Sequence, residues 1–165
     1  MSEGTARFDL PFILPGQAQK ELYHNEALAR VDALLHPAIE GPPLAQAPAQ
    51  PQEGQCWIVA SAAVGTWSGN DHWLATWTGG GWRFIAPQQG MCLWNKAAGH
   101  WVYRNGASWS DGELPAARIV VGGQQVVAGR QPSILNPSGG TIIDAQARAA
   151  LGQVIATLMS HGLIG

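Results

Sequence analysis

The sequence predicts an α+β chain, a small Trp-rich antiparallel β module of hairpins flanked by an N-terminal helix and a C-terminal helix. Three observations predict it. All eight tryptophans fall between Trp57 and Trp109. Glycine turns separate short aromatic runs in that stretch, which is the pattern of hairpins. Near both ends, apolar residues recur at helical spacing instead.

Residues 1–40 read as a strap followed by a helix. Phe8-Asp9-Leu10-Pro11-Phe12-Ile13-Leu14-Pro15 is apolar, and its two prolines exclude helix. The helical pattern starts at Gly16. Leu28, Val31 and Leu35 share one face, with Ala27 and Leu34 beside it. Glu26 and Arg30, four apart, are expected to pair on the wet face. Pro37 ends the helix. Such a helix does not stand alone, so it must pack on the β module or on copies of itself. Phe8, Leu10, Phe12, Ile13, Leu14, Leu28, Val31 and Leu35 are the expected assembly residues. Residues 41–52, with four prolines among Ala and Gln, predict a semi-rigid linker that separates the helix from the Trp region.

Residues 53–130 are the expected β module. Cys56–Ala60 is a short strand. Trp73–Trp77 and Trp82–Ala86 flank Thr78-Gly79-Gly80-Gly81 as one hairpin. Cys92–Asn95 and His100–Arg104 flank Lys96-Ala97-Ala98-Gly99 as a second, loosely self-similar one. Asn105-Gly106 is a turn signal that leads to Trp109. Ala117–Val121 and Gln125–Ala128 flank Gly122-Gly123 as a third. In residues 131–165, a Pro- and Gly-rich loop precedes a helix from Ala145 to Ser160, with Asp144 as N-cap. Ala147, Leu151, Val154, Ile155 and Leu158 lie on one side of it. Gly162 is the expected left-handed C-cap, with Leu163 packing back.

Composition excludes several functions. Charged residues make up 12% of the chain, about half the usual ~25%, which favours a subunit partly covered by partners. A net charge of −2 without a basic arm argues against nucleic acid. No apolar run reaches the ~20 residues of a membrane span, so no membrane insertion is expected. The N-terminus has no signal-peptide pattern, so synthesis and retention in the cytosol are expected. Cys56 and Cys92 read as half-buried thiols in strands. Two Cys and scattered His make no zinc pattern, and no motif for ATP, NAD or another cofactor is present.

The aromatic residues carry the binding hypothesis. Most are expected to be core, as cross-strand pairs of a small sheet. A module this small buries only a few indoles fully, so some should stay exposed. Trp73, Trp77, Trp82, Trp94, Trp101, Tyr103 and Trp109 are the candidate sugar-stacking residues, with Asn70, Asp71, Asn95, Arg104 and Asn105 as a polar rim. Catalytic signals are weak. Asp111 and Glu113 sit in a turn, and Asp71-His72 lacks a nucleophile elbow in Gly65-Thr66-Trp67-Ser68-Gly69. No catalytic residues are assigned, and the chain is not expected to be an enzyme.

Several stretches together resemble a known family. They are Leu14-Pro15-Gly16-Gln17-Ala18-Gln19-Lys20-Glu21 with His24-Asn25-Glu26-Ala27-Leu28, then Glu53–Val59, Gly65–Gly69 and Trp82–Gly90. They resemble an uncharacterised domain family of alphaproteobacterial prophage and gene-transfer-agent spike and tail-fibre proteins, over roughly residues 7 to 110. Gly140–Arg148 with His161-Gly162-Leu163-Ile164 is similar to a tail of related virion proteins. The resemblance implies a virion component assembled in the bacterial cytoplasm. Other virion proteins and further copies of the chain would be its partners, and host-surface attachment its task. It implies no catalytic residues. Longer members continue into receptor-binding regions, so a chain ending at Gly165 is expected to be a spike or fibre base or anchor. The alternative is a carbohydrate-binding module for capsule or cell-wall polysaccharide, towards which Trp94–Tyr103 is weakly similar to a choline-binding repeat. A small glycan hydrolase comes third.

Overall fold

The computed structural model describes residues 5–8, 10–13, 20–142 and 144–165. Leu14, one of the expected assembly residues, lies outside them. The chain forms two compact units, Met1–Leu114 and Pro115–Gly165. The fold class is α+β as expected, with a helix near each end and strands between.

The first unit holds helix α1 (Lys20–Leu34) and strands β1 (Ala38–Ile39), β2 (Cys56–Ile58), β3 (Leu74–Thr78), β4 (Gly81–Ile85), β5 (Cys92–Asn95), β6 (His100–Asn105) and β7 (Ser108–Asp111). They make two sheets, ordered β2-β3-β4 and β1-β5-β6-β7. Both expected hairpins are present. Trp77 pairs with Trp82 and Trp94 with Trp101. At the first turn the Thr78 hydroxyl donates to the Gly81 carbonyl at 2.8 Å, which fixes a tight loop at Gly79-Gly80.

Alternation in β2 and β3 sends side chains to two cores. Cys56, Ile58 and Leu74 join Ala33, Ile39, Leu93 and Val102, with Trp109 packed against them. Trp57 and Ala75 point the other way, to Val59, Ala63 and Trp67, with Trp82, Phe84, Leu44 and Ala47 alongside. The β2-β3-β4 sheet is therefore covered on both faces. Both cysteines are free thiols, Cys56 fully buried and Cys92 half-buried, and burial pushes the Cys56 thiol up from its ordinary pKa.

Three expectations are corrected here. The 41–52 stretch is stitched to the module by backbone hydrogen bonds and does not act as a spacer. Leu44 N–H donates to the Ile58 carbonyl, Ala60 N–H to the Leu44 carbonyl and Val64 N–H to the Ala45 carbonyl. The module is not purely antiparallel, because β1 pairs parallel with β5 directly after Pro37. Glu26 does not sit on a purely wet face. It pairs with Arg30 at 3.3 Å, and also with Arg83 of β4 at 2.7 Å.

Asp32 of α1 is 5% exposed. Its carboxylate accepts from the Thr5 hydroxyl at 2.6 Å and from the Arg7 and Phe8 N–H groups at 3.1 and 2.8 Å. The Arg7 guanidinium in turn donates to the Asp32, Ala33 and His36 carbonyls at the helix end. It supplies the cation that the last turn of α1 itself lacks. The strap is thus clasped to its own helix.

The second unit holds β8 (Ile119–Val121), β9 (Gln124–Val127) and α2 (Ala145–Ser160). Gly122 and Gly123 both have positive φ, 58° and 80°, as a two-residue hairpin turn of the primed type requires. The Asp144 carboxylate accepts from Ala147 N–H at 2.9 Å, which confirms the N-cap. Gly162 N–H donates to the Met159 carbonyl and Leu163 N–H to the Leu158 carbonyl. Together they make the paired C-terminal closure with glycine at the left-handed position. Gln131 pairs with Ile164 and ties the chain end to the exit of β9. The third hairpin belongs with this unit, not with the tryptophan sheets.

Asp32→Ala leaves the Arg7 and Phe8 N–H groups without an acceptor. A loss of about 2–3 kcal/mol in urea unfolding is expected, together with faster proteolysis before Ile13.

Candidate functional site

The seven aromatic candidates separate into three environments. Trp57, Trp67, Trp77 and Trp82 form one indole cluster. Trp82 lies 5.0 Å from both Trp67 and Trp77 and 5.8 Å from Trp57, with edge-on rings. Trp67 is fully buried. Trp82 is thus a half-buried part of the core. Trp109 is also half-buried, with its indole N–H donating to the His72 carbonyl at 2.9 Å and Arg104 over its ring at 5.5 Å. Trp73 is exposed just ahead of β3.

The third environment is a sheet face. Strand register places Cys92, Trp94, Trp101, Tyr103, Asn105, Ser108 and Ser110 on the same side of β5-β6-β7. Leu93, Asn95 and Val102 are buried on the other side. Trp94 and Trp101 are 36% and 44% exposed, with centroids 5.2 Å apart at 75°. Tyr103 is half-buried beside them. This is the one pair of candidates that the fold brings together at the surface.

Most of the expected rim serves the fold instead. The Asp71 carboxylate accepts from the Ala62 and Ala63 N–H groups at 2.8 and 3.1 Å. Buried Asn95 closes the β5–β6 turn through the Ala97 and Ala98 N–H groups. The Asn70 amide donates to the Trp67 and Ser68 carbonyls. Asn105 stays exposed next to Tyr103's face. Short polar side chains close loops this way because they compete with backbone partners locally, and sequence alone does not separate that use from ligand contact.

A groove of about 800 Å³ opens between the strap, α1 and the β3–β4 hairpin, lined by Phe12, Tyr23, Glu26, Asp32, Glu53, Trp77 and Arg83 among others. Asp32 and Glu26 are engaged in the clasp and the ion pairs already described. Phe8, Val31 and Leu35 are exposed. Leu10, Phe12, Ile13 and Leu28 are half-buried, and Ile13 exchanges two hydrogen bonds with the Asn25 amide. Asp32, Arg7 and Asn25 carry no local sequence signal, since their partners lie 12 to 29 residues away.

Catalytic geometry is sparse. Asp111 accepts from His100 Nε2 at 2.5 Å, and Glu113 lies beyond the end of β7. Ser61 Oγ stands 3.3 Å from His72 Nε2, but the Asp71 carboxylate is committed to its loop. Among the described residues, no three His, Cys, Asp or Glu side chains are grouped to hold a metal. No helix among them is long and apolar enough to cross a membrane.

Fold and site together define a tryptophan-cored α+β module with an open aromatic sheet face. The chain belongs to the family described as Protein of unknown function (DUF2793), whose model matches residues 24–110, just over half of its length. The match runs from within α1 into β7. No curated protein matches the chain.

Arg83 holds the Glu26 carboxyl below its ordinary pKa, first through their hydrogen bond, with Arg30 adding a smaller effect. A carboxyl whose pKa is lower folded than unfolded stabilises the fold above its unfolded value, about 4.3. That contribution is lost as pH falls through the folded value. Arg83→Gln should therefore flatten the loss of stability below about pH 4.3, read as urea midpoints at neutral and acid pH.

Proposed function

We propose that this chain is a homo-oligomeric structural component of a phage or gene-transfer-agent particle, serving as a spike or fibre base or anchor at the host surface. The observation that carries the oligomeric part is uncovered apolar surface. Among the described residues of Pro115–Gly165, eleven large apolar side chains are exposed and two, Ile155 and Ile164, are buried. The particle role is supported by the spike-protein resemblance of Leu14–Leu28 and of the Trp67 and Trp82 stretches, and by the low charge.

A second reading, attachment to host polysaccharide, is favoured by Trp94 and Trp101. Paired exposed indoles with Tyr103, Asn105 and serine hydroxyls on the same flat face suit the ring faces and hydroxyls of sugars.

Light scattering on the full chain should give a multiple of 17.5 kDa, and a single-copy mass would sink the assembly role. Particles purified from a host that carries the gene should contain the chain, and their adsorption should fail when the gene is deleted. On a capsule-polysaccharide array, Trp101→Ala should weaken binding at least about tenfold. Equal binding by variant and wild type would remove the polysaccharide reading alone.

A further inference from the structure

We propose that Asn105-Gly106 is a self-modification site, where the Asn105 side-chain amide is lost and Gln89 sets the pace. This chemistry is independent of what the chain binds.

The chain has five asparagines, and four are held away from such a reaction. The Asn25 amide exchanges two hydrogen bonds with Ile13. The Asn70 amide donates to the Trp67 and Ser68 carbonyls. Asn95 is 3% exposed, and its Oδ1 accepts from the Ala97 and Ala98 N–H groups. Asn136 precedes Pro137, whose nitrogen carries no hydrogen to give up. Asn105 differs from all of them. It is exposed at the end of β6, and among the described residues its side-chain amide makes no hydrogen bond. The next residue, Gly106, holds the first central position of the two-residue β6–β7 turn with φ 58°. It has no Cβ to crowd the nitrogen that must reach the Asn105 side chain.

The steps balance with water as the only co-reactant. The Gly106 nitrogen gives its proton to solvent and attacks Asn105 Cγ. A new N–Cγ bond closes a cyclic imide, the Cγ–Nδ2 bond breaks, and the amide leaves with a proton as ammonia. Water then opens the ring at Cγ to give isoaspartate's isomer, ordinary aspartate, or at the main-chain carbonyl carbon to give isoaspartate. Gln89 restrains the first step. Its side-chain oxygen accepts from the Gly106 N–H at 2.5 Å. An N–H held in this way loses its proton to solvent only when the bond opens. The loop that carries Gln89 is itself tied to β6, since Gly90 N–H donates to the Arg104 carbonyl at 3.1 Å.

The product alters the aromatic sheet face. Cys92, Trp94, Trp101, Tyr103, Ser108 and Ser110 share that face with Asn105, and none of them is Asp, Glu, Lys or Arg. Conversion sets a carboxylate among them. Isoaspartate also adds a methylene to the main chain at the residue that pairs with Ser108, which loosens the turn.

The test keeps the full-length protein warm in mildly alkaline buffer and maps its peptides by mass over time. The peptide containing Asn105 should gain the mass difference between amide and acid, and an isoaspartate-specific methyltransferase should label it. Asn25, Asn70, Asn95 and Asn136 should stay unconverted over the same period. Gln89→Ala should convert Asn105 about three- to tenfold faster. Gln89→Glu, which keeps an acceptor, should convert it no faster than wild type. Wild-type conversion that begins at another asparagine, or that passes Asn105 by, overturns the site. An unchanged rate in Gln89→Ala, an increase there at all five asparagines together, or an equal increase in Gln89→Glu overturns the restraint by Gln89 alone.

Discussion

A three-stranded sheet whose strands alternate apolar side chains to both faces must be covered twice, and β2-β3-β4 is such a sheet. Cys56, Ile58 and Leu74 need one lid, and Trp57, Ala75 and Phe84 need another. The first unit meets both demands with its own chain. On one side lie Ala33 of α1, Ile39 of β1, and Leu93 and Val102 of the second sheet. On the other lie Leu44, Ala47, Ala63 and the Trp67 indole. Each buried indole removes some 150–250 Å² from water, a gross gain of about 4 to 6 kcal/mol before the entropic cost of ordering it. That explains why Trp57, Trp67 and Trp82 gather on that side of the sheet.

The two units answer the burial problem differently. The first covers both faces of its β2-β3-β4 sheet with its own chain, while Phe8, Tyr23, Trp73, Trp94 and Trp101 stay exposed on it. The second has capped its helix, turned its hairpin and tied Ile164 to Gln131, while most of the large apolar side chains among its described residues stay exposed. Local order without a core of its own marks a segment that completes its packing against something else.

Hairpin register was readable in the sequence because glycine turns and two-residue alternation are local signals. The pairs Trp77–Trp82 and Trp94–Trp101 follow from them directly. Which face of each strand turns inward was not readable, because both faces of β3 are apolar. That is why Trp82 and Trp109, expected as possible platforms, pack into cores while Trp94 and Trp101 do not. Strand β1 has two residues, too few to show any period. The prolines of 41–52 say nothing of what lies alongside, and Leu44 finds β2. The rim failed for a similar reason, since Asp71 and Asn95 hold backbone amides of their own loops. The caps of α2 were legible because Asp144 and Gly162 act on neighbours within a turn, whereas the cap of α1 comes from Arg7, far upstream.

That distant cap bears on where the polypeptide can be cut. The end of α1 and its buried Asp32 carboxylate are completed by Thr5, Arg7 and Phe8. A fragment trimmed to begin inside the helix would keep Asp32 in an apolar setting with its donors gone. It would also leave the Ala33 and His36 carbonyls without their guanidinium. The smallest autonomous piece of the first unit therefore includes Thr5, Arg7 and Phe8, well upstream of the helix they complete.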